Sequence, residues 1–333
     1  MKIINQSSEI LGTPQSLEEA WKYVAMAARN CYQSEKVKQD ESEEDFCRRV
    51  LLKGKDPTKM TKKEMEQFHL SPFEFGIVYL TIEGPWNVCE YSPTEKYINH
   101  PYSRVVGPIY SKDKYKEGER HYSKAYITTN LRVLIENHWE EDLKYACEPT
   151  KYHVKACCFH LITNRQVMAE LTRHEAALSF TCESTRYCNY SKGKFDKQLT
   201  FIKPNWLNVE SGEYEYDWDY VDGVSYWGWK DGKQLESRDK ITDLYMTKLW
   251  DTENTYLQLI NDYHETPQQA AIILVNDLKV SIMMCGYEDN LQHVFNLRAE
   301  ECSGPVHPCM KELMQPLYKD YKYWISINDT DVC

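Results

Sequence analysis

A chain of 333 residues can bury a substantial core, and its length allows one large domain or two smaller ones. Its 51 acidic residues outnumber 40 basic ones, and the net charge of -11 argues against a broad electrostatic grip on nucleic acid or an anionic membrane. A few local arginines around a small phosphorylated ligand remain compatible with that balance. The 12 cysteines are scattered, with Cys157 and Cys158 adjacent and no matched pair of C-x-x-C motifs, so no metal site is expected. The opening MKIINQSSEILGTPQS lacks a charged start followed by an apolar run, and no later segment is long and apolar enough to span a bilayer. A cytoplasmic protein with reduced thiols is the expectation.

The first predicted helix runs from Ser16 to about Val37, opened by a capping box of Ser16 and Glu19, with Trp21, Val24, Ala25, Ala28 and Cys31 at helical spacing. Glu41 to Gln67 is rich in charge and reads as solvated helices and turns, after which HLSPFEFGIVYLTIEG changes period and reads as a strand begun at Pro72. From Pro85 to Lys151 the chain is tyrosine-rich and charged, with a helix-like NLRVLIENHWEEDLKYA, and reads as an elaboration between two core elements. YHVKACCFHLIT is the second strand candidate. NRQVMAELTRH follows as a short helix capped by Asn164, which places Glu170, Arg173 and His174 on one face.

LTFIKPNW predicts another short strand. Glu210 to Lys233, crowded with Trp, Tyr, Asp and Gly, shows no clean period and reads as an excursion loop. Helices are predicted from Arg238 to Tyr263 and from Thr266, with Pro267 at the first helical position. DLKVSIMMC reads as a strand, EDNLQHVFNLRAEE as a helix, and HPCMKELMQPLYKDY as a final helix. Strands interspersed with helices indicate α+β or α/β.

One stretch concentrates polar chemistry: RHEAALSFTCESTRYCNYSK, Arg173 to Lys192. Its charged groups cannot all enter an apolar core unpaired. Arg173, Arg186 and Arg298 offer planar forks of donors that match a phosphate or a pyrimidine edge, although a surface arginine is more often merely solvated. Arg186 follows a run of backbone and hydroxyl donors, which raises its standing. Cys182 beside arginines could be a nucleophile, but an incidental thiol fits better. Ser184 has no general base nearby in sequence and is better suited to holding a phosphate.

These motifs together resemble the flavin-dependent thymidylate synthases. That family carries a signature of R-H-R, a spacer and a serine, with Ser-x-Arg-Tyr at its end, and ESTRYCNYSK (Glu183 to Lys192) matches it. AARNCYQS, HLSPFEFG, YITTNLRVLIENHWEEDLKYACEPTKYH, TPQQAAIILVNDLK, FNLRAEE and the HP at His307 follow in family order. The resemblance implies an α+β subunit in one domain over 1–333, a central mixed sheet flanked by helices, and a large insertion at about 85–151 between the first two core strands. A second insertion is expected at about 205–237.

It further implies a homotetramer with shared active sites that makes dTMP from dUMP, with methylenetetrahydrofolate as carbon donor, FAD as hydride carrier and NADPH as reductant. Carried over by position, Glu170, Arg173, Cys182, Glu183, Ser184, Thr185, Arg186 and Arg298 would meet dUMP. His69, Ser71, Glu74, Arg173, His174, Glu175 and His293 would meet FAD. Arg298 matches the arginine that polarises the uracil, a fixed cation where charge develops.

The chain also departs from the pattern. Glu175 stands where the third residue of R-H-R is Arg, the spacing from Arg173 to Ser179 is one residue longer, and PQQAA leaves Ala271 where an arginine is usual. Losing a charged contact to an anionic ligand costs about 1.5 to 3 kcal/mol. Two further readings follow: a paralogue performing another C5 modification of a pyrimidine nucleotide, and an inactive nucleotide-binding member.

Overall fold

The computed structural model describes residues 1–34, 40–85, 94–110, 122–175, 178–221, 224–230, 233–236 and 240–328. The chain opens with strands β1 (Lys2–Ile4) and β2 (Ser7–Gly12) and helix α1 (Leu17–Tyr32). Helices α2 (Glu43–Leu51) and α3 (Lys62–Met65) and a 3₁₀ turn at Ser71–Phe75 lead into β3 (Ile77–Pro85). There follow α4 (Glu95–Ile98), β4 (Arg104–Tyr110), β5 (Tyr122–Asn130), α5 (Leu131–Glu136) and β6 (Ala146–Cys147). The next run is β7 (Ala156–Asn164), α6 (Arg165–Leu171), β8 (Ser179–Cys182) and β9 (Thr200–Ile202). Strands β10 (Gly212–Val221), β11 (Val224–Lys230) and β12 (Lys233–Glu236) precede α7 (Lys240–Asn261) and α8 (Pro267–Ala270). The chain closes with β13 (Lys279–Tyr287), α9 (Glu288–Arg298) and α10 (Pro308–Asn328).

Helix α1 starts where its cap dictates. Ser16 Oγ accepts the Glu19 N–H at 3.2 Å, while the Glu19 carboxylate reaches back to the N–H of Gln15, one residue earlier than an ideal box requires. The helix stops at Tyr32, with Gln33 in the left-handed region (φ 48°); Val37 lies outside the described residues. Its apolar face, Trp21, Val24, Ala25 and Ala28, is buried as its spacing requires.

An antiparallel sheet in the order β2-β7-β13-β8 forms the centre. The expected mixed sheet does not form there. Strands β7 and β8 run in the same direction around α6, but β13 inserts between them and runs the opposite way. The parallel pairing found among the described residues, β1 with β9, belongs to another sheet, ordered β12-β11-β10-β1-β9.

Residues 85–151 are likewise not an insertion between two neighbouring strands. Strand β3 belongs to a separate antiparallel sheet, β4-β5-β3-β6, and that segment supplies the partners β3 needs along its whole length. Glu210 to Lys233, expected as a loop, lies largely in the β10–β12 meander that extends from β1. Its signal was an alternation of acids and aromatics from Glu213 to Tyr220, a period of two written in residues unlike the usual apolar and polar pairs. The aromatic side chains Trp218, Trp227 and Trp229 lie outside the described ones.

The two faces of the central sheet are distinct. Val280, Ile282 and Met284 of β13, with Phe159 and Leu161 of β7, pack under α6, α9 and α10 through Val167, Leu171, Val294, Phe295, Leu313 and Met314. Cys158, Met283, Cys285 and Tyr287 face the other way, onto Ala27, Phe75, Ile77 and Tyr79. Each such fully buried large side chain contributes about 1.5 to 3 kcal/mol. Gly286 interrupts the apolar run because a Cβ there would collide with Leu178. Among the described residues no helix is long and apolar enough to cross a membrane.

Candidate active site

The first cluster lies where α6 ends. Asn164 caps α6 as expected, its Oδ1 accepting the Val167 N–H at 2.9 Å, and the helix tightens into a 3₁₀ turn at Thr172–His174. Glu170 and His174 are half-buried there, and Arg173 and Glu175 are exposed. The final residue of α9, Arg298, returns to this turn. Its Nε donates to His174 Nε2 at 3.0 Å, its Nη2 to the Glu170 carbonyl at 3.4 Å, and its Nη1 stands 3.7 Å from the Glu170 carboxylate.

Because Nε2 accepts, the ring proton of His174 sits on Nδ1, and the imidazole is a neutral donor. Burial lowers the pKa of His174, and the charges of Arg298 and the exposed His293 lower it further. The corner therefore presents a fixed guanidinium, a neutral imidazole and an anchoring carboxylate to solvent, a set that can hold an anionic or carbonyl-rich ligand.

The second cluster follows β8. Glu183, expected to face a ligand, is 1 % exposed and points inward. Its carboxylate accepts from Lys279 Nζ at 2.5 Å, Tyr190 Oη at 2.9 Å and the Ser281 N–H at 3.2 Å, so a buried charge is satisfied by the fold itself. Ser184 donates its N–H to the Cys31 carbonyl at 3.0 Å, and its own carbonyl accepts from Tyr187 and Cys188, which closes a tight turn. Ser184 and Thr185 are half-buried, and Arg186 is exposed above the ring of Tyr187 at 5.5 Å. Burial pushes the Cys182 thiol up to about 12, with the neighbouring Cys31 adding to it, so no thiolate nucleophile stands here at neutral pH.

The third cluster is the 3₁₀ turn that precedes β3. His69 and Ser71 are exposed, whereas Glu74 is buried and paired with the Arg132 guanidinium from α5, which also holds Glu136 at 3.0 Å. Arg132 was not legible as a partner because 58 residues separate it from Glu74. Glu74, Tyr102, Ser179 and Asn290 line a narrow cleft of about 20 Å³, room for about one water.

The first two clusters stand at the two ends of β8. Arg173 and His174 precede β8 and Ser184 and Arg186 follow it, and the four residues of that strand span roughly 13 Å at about 3.3 Å each. Ala271 follows α8, whose Thr266–Gln269 capping box is complete. Among the described residues no group of three or more His, Cys, Asp or Glu is arranged to hold a metal.

Residues 143–305, which hold both the turn after β8 and Arg298, match the model of the thymidylate synthase complementing protein family. No curated protein matches the chain. Among solved structures, Thymidylate Synthase X from Helicobacter pylori with FAD and dUMP aligns at 15 % identity and a TM-score of 0.32, over 50 % of this chain and 66 % of that one, just under two thirds of its length. A UMP/dUMP methylase, PolB from Streptomyces cacaoi, bound with 5-Br UMP, aligns at 13 % identity and a TM-score of 0.35, over 50 % and 69 %. The likeness to the thymidylate synthase complementing protein family thus extends over residues 143–305, just under half of the chain.

Proposed function

We propose that this protein is a flavin-dependent thymidylate synthase, a methyltransferase that converts dUMP to dTMP with methylenetetrahydrofolate as carbon donor and NADPH as reductant. The observation that carries the reading is that the family match spans both the Ser184–Arg186 turn and the Arg298–His174–Glu170 corner. In this reading Arg298 is the catalytic residue. Its fixed charge would favour electron density at the uracil ring, and a preorganised cation is worth most where charge develops. Ser184, Thr185 and Arg186 would hold the nucleotide phosphate through hydroxyl, backbone and guanidinium donors.

The donor set fits FAD in part. Arg173, the neutral His174 and His293 form a solvent-facing group of donors suited to a dinucleotide, whereas Glu74 is already committed to Arg132 and its cleft is far smaller than a flavin ring. Bound flavin would supply the hydride that completes the methyl group; the chain's own groups bind, orient and polarise. In this reading the protein is a cytoplasmic homotetramer whose sites draw on more than one subunit, as the family resemblance implies.

Glu175 and Ala271 favour a second reading, a paralogue that modifies C5 of a pyrimidine nucleotide by another route, since two cations expected at the nucleotide and flavin are absent. Anaerobic reduction followed by product analysis separates the two. A yellow protein that NADPH bleaches faster with dUMP present, and that then yields dTMP with methylenetetrahydrofolate, bears out the synthase. Flavin reduction with no dTMP selects the paralogue, and a protein that cannot be loaded with FAD removes both.

A further inference from the structure

The turn Glu183–Tyr187 carries the proposed phosphate donors, yet it is irregular chain at the end of a short strand. It is held in place from beneath. Lys279, the first residue of β13, and Tyr190 converge on the Glu183 carboxylate at 2.5 and 2.9 Å, and the Ser281 N–H completes its shell at 3.2 Å.

From α1, Asn30 Nδ2 donates to the carbonyls of Thr181 at 3.0 Å and Ser281 at 3.2 Å, and its Oδ1 accepts the Ser281 hydroxyl at 2.5 Å. With that hydroxyl proton committed to Asn30, the 2.7 Å contact to His160 must be a donation from the imidazole Nε2–H. The backbone of Ser184 is then tied to α1 at Cys31. The Glu183 carboxylate, the Asn30 amide and the Ser281 hydroxyl are all engaged, while the buried hydroxyl of Thr181 beside them has no hydrogen-bond partner among the described residues; a network whose central groups are satisfied favours one arrangement.

The ion pair is asymmetric in exposure. Glu183 is 1 % exposed and Lys279 19 %. A carboxylate that deep has no water to fall back on, so its direction is set by where Lys279 and Tyr190 stand. The next residue in the chain is Ser184. We infer that Lys279 is a positioning residue for the nucleotide-binding turn: acting through Glu183, it fixes the directions in which Ser184, Thr185 and Arg186 present their donors. This rests on the proposed dUMP reading for its ligand, but its structural half stands without one.

The test compares the full-length protein with Lys279→Met and Lys279→Arg by hydrogen exchange and by steady-state kinetics. Lys279→Met is expected to raise amide exchange over 184–192 and leave 288–298 protected, and to raise KM for dUMP about tenfold while kcat stays near the parent's. Lys279→Arg, which keeps the charge, is expected to restore most of both. Parent-like exchange and KM in Lys279→Met would overturn the assignment, and so would exchange raised evenly through the whole chain with kcat lost.

If Lys279→Met yields no folded protein, the double variant Glu183→Gln with Lys279→Met decides, because it removes both charges. A loosened turn with raised KM supports positioning, and a parent-like KM overturns it. Failure of the parent to bind dUMP would remove the functional reading alone, and the exchange over 184–192 would still decide the role of Lys279.

Discussion

The turn after β8 and the corner between α6 and α9 lie at the two ends of one short strand and use charge in opposite ways. At the turn, the carboxylate is buried and fully engaged, and only the donors that follow it reach solvent. At the corner, Arg298 is held by one imidazole, a long hydrogen bond to the Glu170 carbonyl and one long ion pair, with about a fifth of its side chain exposed. The first region uses charge to fix its shape, and the second keeps charge available. Ligand chemistry belongs where polar groups are oriented but not exhausted.

The sharpest way to break this contrast is Arg298→Ala. It is expected to cost about 10² to 10³ in kcat while FAD remains bound, read by absorption beside turnover; normal turnover would remove Arg298 from catalysis. Arg186→Ala should instead weaken dUMP binding by about 1.5 to 3 kcal/mol, measured by calorimetry, and an unchanged affinity would give the turn another purpose.

Asn30→Ala tests the buried side. It removes contacts to two carbonyls and a hydroxyl and should cost about 2 kcal/mol of stability in urea unfolding; a loss below a few tenths would mean that water takes over those contacts. Glu170→Gln tests the exposed side, where a partly solvated ion pair contributes no more than about 1 kcal/mol to stability. The expected outcome is a nearly unchanged unfolding midpoint with reduced kcat, because Arg298 loses the group that aims it.

The smallest effect is on pH dependence. His153, His160 and His174 all have pKa values lowered from 6.5, in each case chiefly by burial. As pH falls the unfolded chain takes up these protons before the folded one does. Their contribution is therefore complete above about 6.5 and is lost as pH drops through the lowered folded values. His174→Gln should flatten the corner's share of that loss in denaturation midpoints taken between pH 7 and pH 5, and an identical slope would mean that His174 titrates freely.

Much of the central layer was legible because it is written locally. Asn164 and Ser16 announce helix starts through side-chain oxygens, and β7 and β13 carry the apolar content of strands covered on both faces. Strands β1 and β2 were not legible, since Lys2–Ile4 becomes a strand only by pairing with residues near 200 and 213. The site divided along the same line. Arg298, His174 and Glu170 could be grouped from helical spacing and resemblance, but nothing local marks Glu183 as buried, because its partner Lys279 lies 96 positions later.

The long pairing of β7 with β13 has one more consequence. Odd positions of β13 carry Lys279 and Ser281 towards α1, and even positions carry Val280, Ile282 and Met284 into the helical layer. A slip of one residue would drive an ammonium and a hydroxyl into oil and strand the Glu183 carboxylate without its counter-charge. Misthreaded chains are thus rejected by the same atoms that shape the turn, so the polar network works as a proofreading mark during folding before any ligand arrives.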